Sequence, residues 1–212
     1  MTKTVLKALA VAVVLSPALG FAQAPKAATY ITDEEVKAVN ATPGVDRTIK
    51  VVDIGPENFA VGVIHRGATG GAGRGAGGGG GGASAAAPQP CGEQSTAPAT
   101  GSVPGGIAHD QQTEGYLIIS GAGTLVTGGK IVNGRKSPPD SPVTKELNGP
   151  SCSGMIVGAD VVKKPVKTGD IIIIPAGVPH GWSEIPDHVD YLSFRPSARV
   201  LEAGYTHPSI KK

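Results

Sequence analysis

The chain has 212 residues, with 19 Lys and Arg against 17 Asp and Glu and a formal net charge of +2. That length suits one domain with a buried core rather than two. The near balance of charge excludes a basic nucleic-acid footprint, and no apolar stretch beyond the first residues is long enough to cross a membrane.

The N-terminus has a short basic start at Lys3 and Lys7, an apolar run from Leu6 to Leu15, breakers at Ser16-Pro17 and Gly20, and a small-x-small site at Ala22-Gln23-Ala24. This pattern predicts a secretory signal peptide over residues 1–24, too short to span a bilayer. Its removal leaves 17 basic against 17 acidic residues, a formally neutral mature chain. Residues 25–45 form an N-terminal segment. Within it, Thr32 followed by Glu35 is a capping-box spacing with acids in the first turn, and it predicts a short helix over 33–40. Pro43-Gly44 ends the segment.

The stretches DRTIKVVDI and NFAVGVIHR are rich in β-branched residues and separated by Gly55-Pro56-Glu57, so they predict two antiparallel strands. Residues 67–100 are rich in Gly, Ala and Pro and predict a flexible insertion with no side-chain core. The G-x-G-x-x-G at Gly75, Gly77 and Gly80 is an accident of that composition, since no helix follows it. Short strands are then expected over 115–120, 123–127, 130–133, 155–162, 171–174, 180–185 and 189–195, most with Gly, Pro, Asn or Asp between them. Many short strands and little helix indicate a β-barrel or sandwich, here spanning 46–196 with a C-terminal tail over 197–212.

Cys91 and Cys152 are the two cysteines. In an exported chain an even count predicts one disulfide, worth roughly 4 kcal/mol by loop-closure entropy. The four isoleucines at 171–174 read as a strand buried on both faces. After Pro175-Ala176-Gly177, period-2 alternation puts His180, Trp182 and Glu184 on one face.

His109, Glu114 and His180 form the constellation that can carry chemistry. Two imidazoles and one carboxylate with open positions between them suit Fe, Mn, Ni or Zn, and three protein ligands leave room for water or substrate. Glu184 and Trp182 are the candidate catalytic side chains, Glu184 as an acid or base and Trp182 as a wall for substrate; a rim carboxylate and simple core filling are the alternatives. Tyr191, Ser193 and Arg195 share a face of the last strand. Arg195 is open to three partners: a carboxylate substrate, Glu184 or solvent. His188 and His207 are expected in solvent.

These residues resemble the cupins. The first cupin motif runs Gly, five residues, His-x-His, three or four residues, Glu, six residues, Gly; Gly101, Ile107, His109, Glu114 and Gly121 fall on it, with isoleucine in place of the first histidine. The second runs Gly, five residues, Pro-x-Gly, two residues, His, three residues, Asn; Gly169, Pro175, Gly177 and His180 match and Glu184 holds the last position. The resemblance covers 46–196 and is nearest to small exported bacterial single-domain cupins. It implies an all-β, double-stranded β-helix (a jelly-roll or cupin barrel) with a short N-terminal helix, and a homodimer.

It also implies a divalent metal on His109, Glu114 and His180. Ile107 cannot ligate, so three outcomes are open. The three ligands suffice, or Gln111, Gln112, His65 or Glu184 completes the set, or the metal is lost. The resulting expectation is a periplasmic or secreted metal-dependent enzyme of oxygenase, lyase or isomerase type acting on a small organic molecule. The alternative is a non-catalytic barrel binding a sugar or organic acid. No nucleic-acid partner is expected, and no membrane association after leader cleavage.

Overall fold

The computed structural model describes residues 27–69, 89–96 and 101–210. The expected leader lies outside these residues, as does most of the glycine-rich insertion. Helix α1 (Asp33–Asn40) starts at the capping box: Glu35 N–H donates to Thr32 Oγ1 at 3.2 Å, and Thr32 N–H donates to Glu35 Oε2 at 3.1 Å. Its Val39 is fully buried against Ile49 and Val63. No helix among the described residues is long and apolar enough to cross a membrane.

The strands are β1 (Asp46–Asp53), β2 (Asn58–Gly67), β3 (Pro90–Cys91), β4 (Val103–His109), β5 (Glu114–Thr127), β6 (Lys130–Lys136), β7 (Ser151–Val157), β8 (Val162–Lys167), β9 (Ile171–Ile174), β10 (His180–Glu184) and β11 (His188–Ser197). They pair antiparallel in two sheets, β1-β2-β11-β5-β9 and β8-β5-β10-β4-β7-β6-β3. The fold is the all-β double-stranded β-helix with one short N-terminal helix.

Strand β5 belongs to both sheets. Its first half pairs with β11 and β9, and its second half with β10 and β8. The expected strands 115–120 and 123–127 are therefore one element. Gly121 sits at the changeover with φ +71°, where a Cβ would lie 2.0 Å from the His188 carbonyl oxygen, so only glycine fits. The expected strand over 155–162 is instead two, β7 and β8, because Gly158 at φ +138° turns the chain between them. The main apolar core includes Ile64, Ile118, Leu125, Ile174, Trp182 and Tyr191.

Two expectations about sidedness are corrected. The four isoleucines of β9 are not buried on both faces: Ile171 and Ile173 are 73% and 74% exposed, while Ile174 is 2% exposed. Strand β9 lies at a sheet edge, where one face meets the core and the other meets solvent, and a run of one residue type conceals that alternation. Glu184 does not share the face of His180 and Trp182. A bulge between Trp182 and Glu184 breaks the period, so His180, Gly181 and Trp182 are buried and Ser183 and Glu184 are exposed.

The expected disulfide is present between Cys91 and Cys152. It fastens β3, which lies within the 67–100 stretch, to β7. Strand β7 in turn pairs with β4, with Cys152 opposite Ala108 and Ser151 opposite His109.

Candidate metal centre

Three strands deliver the three candidate ligands. His109 ends β4, Glu114 begins β5 and His180 begins β10. The turn Pro175-Ala176-Gly177 precedes β10, and its Gly177 N–H donates to the His109 carbonyl at 2.7 Å, which ties the two histidine segments together. Glu114 Oε2 lies 3.3 Å from His109 Nε2 and 3.1 Å from His180 Nε2. The three donor atoms all lie within 4.8 Å of one another, and His109, Glu114 and His180 are 3%, 2% and 4% exposed.

The donor set fits a divalent cation. His109 Nδ1 lies 2.7 Å from the Asn148 carbonyl, and His180 Nδ1 lies 3.0 Å from the Val178 carbonyl. A carbonyl only accepts, so each Nδ1 carries a proton, and each ring turns its Nε2 toward Glu114. Two imidazole nitrogens and a carboxylate oxygen then converge on one point, a donor set that would suit a divalent cation. Without a metal, protons on the two Nε2 atoms fill that role and donate to Oε2.

The Asn148 carbonyl comes from a wide helical turn over Val143–Asn148, which ends at Gly149 with φ +60°. The last carbonyls of a helical turn lack internal partners. Here they hold the site: Leu147 O accepts from Arg195 Nη1 at 3.1 Å and from Gln112 Nε2 at 3.4 Å.

Glu114 is held on both oxygens. Arg195 Nε donates to Oε1 at 2.9 Å, Ser193 Oγ to Oε1 at 3.2 Å and Tyr116 Oη to Oε2 at 2.6 Å. Arg195 Nη2 bonds Asp46 Oδ2 at 2.6 Å. Burial alone would push the Glu114 carboxyl up; the charges of His109 and Arg195 and the hydrogen bonds from both histidines outweigh it and hold the group well below the usual carboxylate range. Burial and then the Glu114 charge push the Tyr116 phenol well above its ordinary value, so it stays a proton donor. Burial opposes the Arg195 charge, but Asp46 and Glu114 overcome it and raise its pKa. The carboxylate is thereby fixed with Oε1 committed to Arg195 and Oε2 turned to the histidines.

The cavity beside these ligands is small, about 30 Å³, and Ile107, Arg66, Tyr116 and Trp182 line it along with all three ligands. At roughly 10–15 Å³ per buried water it holds an ion or about two waters. Ile107 stands directly opposite His180 across the β4–β10 pair, so the position lacking a histidine lies on the cavity wall.

None of the proposed additional ligands reaches this point. His65 is exposed on the outer face, where its Nδ1 lies 2.6 Å from Asp190 Oδ1. Gln111 is exposed, and Gln112 is buried but absent from the cavity wall. Glu184 lines a separate outer groove of about 430 Å³ with Gly123, Thr124, Val166 and Lys167, away from the three ligands. Trp182 is 3% exposed and packs on Tyr191 at 5.6 Å between ring centroids, so it both fills the core and walls the cavity.

Arg195 contacts neither solvent, Glu184 nor free space; it is committed to Glu114 and Asp46. His188 is not in a free turn but begins β11, with Nε2 3.1 Å from Ser120 Oγ. His207 is partly buried and its Nδ1 bonds Ser209 Oγ at 2.8 Å. Sequence reasoning missed Arg66 and Tyr116. Both sit an even number of residues from residues that face inward, Ile64 and Glu114, and that parity was the available signal.

The residues of the first motif and the histidine of the second thus meet inside one barrel. The fold is a closed double-stranded β-helix. No family model matches the chain, and no curated protein matches it. Among solved structures, the chain is similar to a cupin protein from Bacteroides fragilis, at 17% identity over 70% of this chain and 72% of that one, TM-score 0.30. It is similar to a double-stranded β-helix protein from Klebsiella pneumoniae, at 14% identity over 82% and 94%, TM-score 0.37. A predicted oxalate decarboxylase from Thermotoga maritima matches at 15% identity over 66% and 64%, TM-score 0.28. At these identities and scores the likenesses say nothing of this chain's reaction or substrate.

Proposed function

We propose that this chain is an exported metal-dependent enzyme acting on a small organic molecule, with the ion held by His109, Glu114 and His180. One observation carries the reading: two Nε2 atoms and one carboxylate oxygen converge in a buried cavity with both imidazole tautomers fixed by backbone carbonyls. When bound, a divalent ion there supplies Lewis acidity, and redox chemistry if it is iron or manganese. The chain's own residues do the rest. Arg195 and Ser193 hold Glu114 Oε1, and Tyr116 keeps a proton at the cavity edge, 2.6 Å from Oε2. Ile107 and Trp182 present apolar surface that limits water. Export is supported by the leader pattern and by the Cys91–Cys152 bond, which persists in an oxidising compartment.

The test is metal analysis of the purified mature protein and of His180→Ala. One ion per chain is expected in the first, with affinity at least 100-fold weaker in the second. Metal retained at full affinity by His180→Ala, or none bound by the parent protein, overturns the reading. The cavity of about 30 Å³ favours a second reading, a barrel that captures a very small ligand without turnover. Oxygen uptake and product analysis with candidate small acids and phenols separate the two: turnover supports the enzyme, and binding without turnover supports the second reading.

A further inference from the structure

We propose that Arg66 is the anchor of a small carboxylate ligand beside the metal ligands, which makes the substrate class of this site a short carboxylic acid. The inference rests on the metal reading above and adds to it the chemistry of what binds next to the ion. Three observations lead to it. First, Arg66 lies near the end of β2 on the inward side, two residues from the buried Ile64, and is the one Lys or Arg among the described residues that lines the ligand cavity. Second, its charge has no salt-bridge partner among the described residues; Asp46 attracts it only from beyond salt-bridge distance. The Glu114 carboxylate is shared by Arg195, both histidines and Tyr116, and the Asp46 carboxylate bonds Arg195; no carboxylate among the described residues forms a salt bridge with Arg66. A half-buried guanidinium without an anion is costly, and in folded proteins such a charge is normally paired.

Third, the side chain is aimed. Arg66 Nε donates to the Tyr191 hydroxyl at 3.0 Å, and Tyr191 is 1% exposed within the core. That bond uses the inner nitrogen and leaves the terminal pair as a planar two-pronged donor. A carboxylate matches that fork with two parallel N–H···O bonds. Much of the remaining wall is Ile107, Trp182, Gly105 and Gly181, which offers little to a second polar group. A volume of about 30 Å³ is about that of two waters, so beside an ion it takes no more than the carboxyl end of a short acid, and it excludes an aromatic ring without rearrangement.

The experiment uses the mature protein and Arg66→Met, each metal-free and loaded with Zn(II). Calorimetry first measures Zn(II) affinity in both, expected equal within about threefold. Formate, acetate, acetamide, benzoate and chloride are then titrated. Formate and acetate should bind the parent protein and bind Arg66→Met at least tenfold more weakly. Arg66→Lys, which keeps the charge but loses the fork, should fall between. Acetamide and benzoate should not bind.

Equal carboxylate affinity in the parent and Arg66→Met overturns the proposal, as does acetamide matching acetate. Chloride competing as well as acetate overturns the carboxylate assignment. Failure of the parent protein to bind Zn(II) sinks the metal reading instead, and the metal-free titrations then decide the role of Arg66 alone. Should Arg66→Met not fold, the ¹⁵N signals of the Arg66 guanidinium in the parent protein decide: a shift on adding formate supports the anchor, and no shift overturns it.

Discussion

Replacing Arg195 with Met removes the single cation between two carboxylates while keeping an apolar stem in place. Arg195 is 1% exposed, with Nε 2.9 Å from Glu114 Oε1 and Nη2 2.6 Å from Asp46 Oδ2. Breaking a buried pair costs about 3–5 kcal/mol, because a charge is left behind without its partner. Glu114 can escape that state by taking a proton, which sets a ceiling. From an ordinary pKa of 4.5, neutralising it at pH 7 costs roughly 3.4 kcal/mol, being about 2.5 pH units at 1.36 kcal/mol each. At pH 5.5 the same step costs only about 1.4 kcal/mol.

The sign follows from the parent protein. Its Glu114 pKa is depressed in the folded state, so this group's stabilisation is fully present above the unfolded value of 4.5 and is lost as pH falls through the folded value. Arg195→Met lacks much of that depression, so the two proteins converge in stability toward low pH. Urea denaturation in the presence of a chelator should show a loss of about 3 kcal/mol at pH 7, shrinking to roughly 1 kcal/mol at pH 5.5. At 2–4 °C per kcal/mol the Tm should fall by about 6–12 °C at pH 7. Saturating Zn(II) should recover part of the loss, since a divalent ion at Oε2 supplies positive charge to the same carboxylate. A loss under about 1 kcal/mol at pH 7, or a loss independent of pH, would refute the description of Glu114 as an ionised group held by Arg195.

Two other outcomes are expected. Cys91→Ser with Cys152→Ser opens a link between residues 61 apart, which loop-closure entropy values at about 4 kcal/mol, so a comparable fall in urea-derived stability should follow. Glu184→Gln should leave Zn(II) stoichiometry and affinity unchanged within about twofold by calorimetry, because Glu184 is exposed in the outer groove; a tenfold loss would show that the carboxylate reaches the site.

Much of the barrel was legible because its signals are local. Thr32 and Glu35 close a capping box within one turn, and Gly55-Pro56-Glu57 divides β1 from β2. The convergence of His109, Glu114 and His180 was legible because motif spacing places each at a strand end. What was hidden depends on pairing. The bulge after Trp182 turns Glu184 outward, and no feature of HGWSE announces it, since the extra residue is defined against β5. The run of four isoleucines carries no alternation to read, so its edge position was invisible. Arg195 was open to a carboxylate substrate, Glu184 or solvent, but its partners Asp46 and Glu114 are 149 and 81 residues distant in the chain. Arg66 was overlooked beside its neighbour His65, whose imidazole drew attention but points away from the cavity.

Strand β5 is the seam between the two sheets, and this has a kinetic consequence. Its partners are drawn from distant parts of the chain, with β11 joining Ser197 back to Asn58 across β2 in the same sheet. Closing such loops is slow, and the histidines on β4 and β10 reach Glu114 only when both halves of β5 are docked. An ion therefore finds nothing to grip in a half-formed chain. It should act as a late latch, lengthening the lifetime of the finished barrel against unfolding while leaving the rate of its assembly almost untouched.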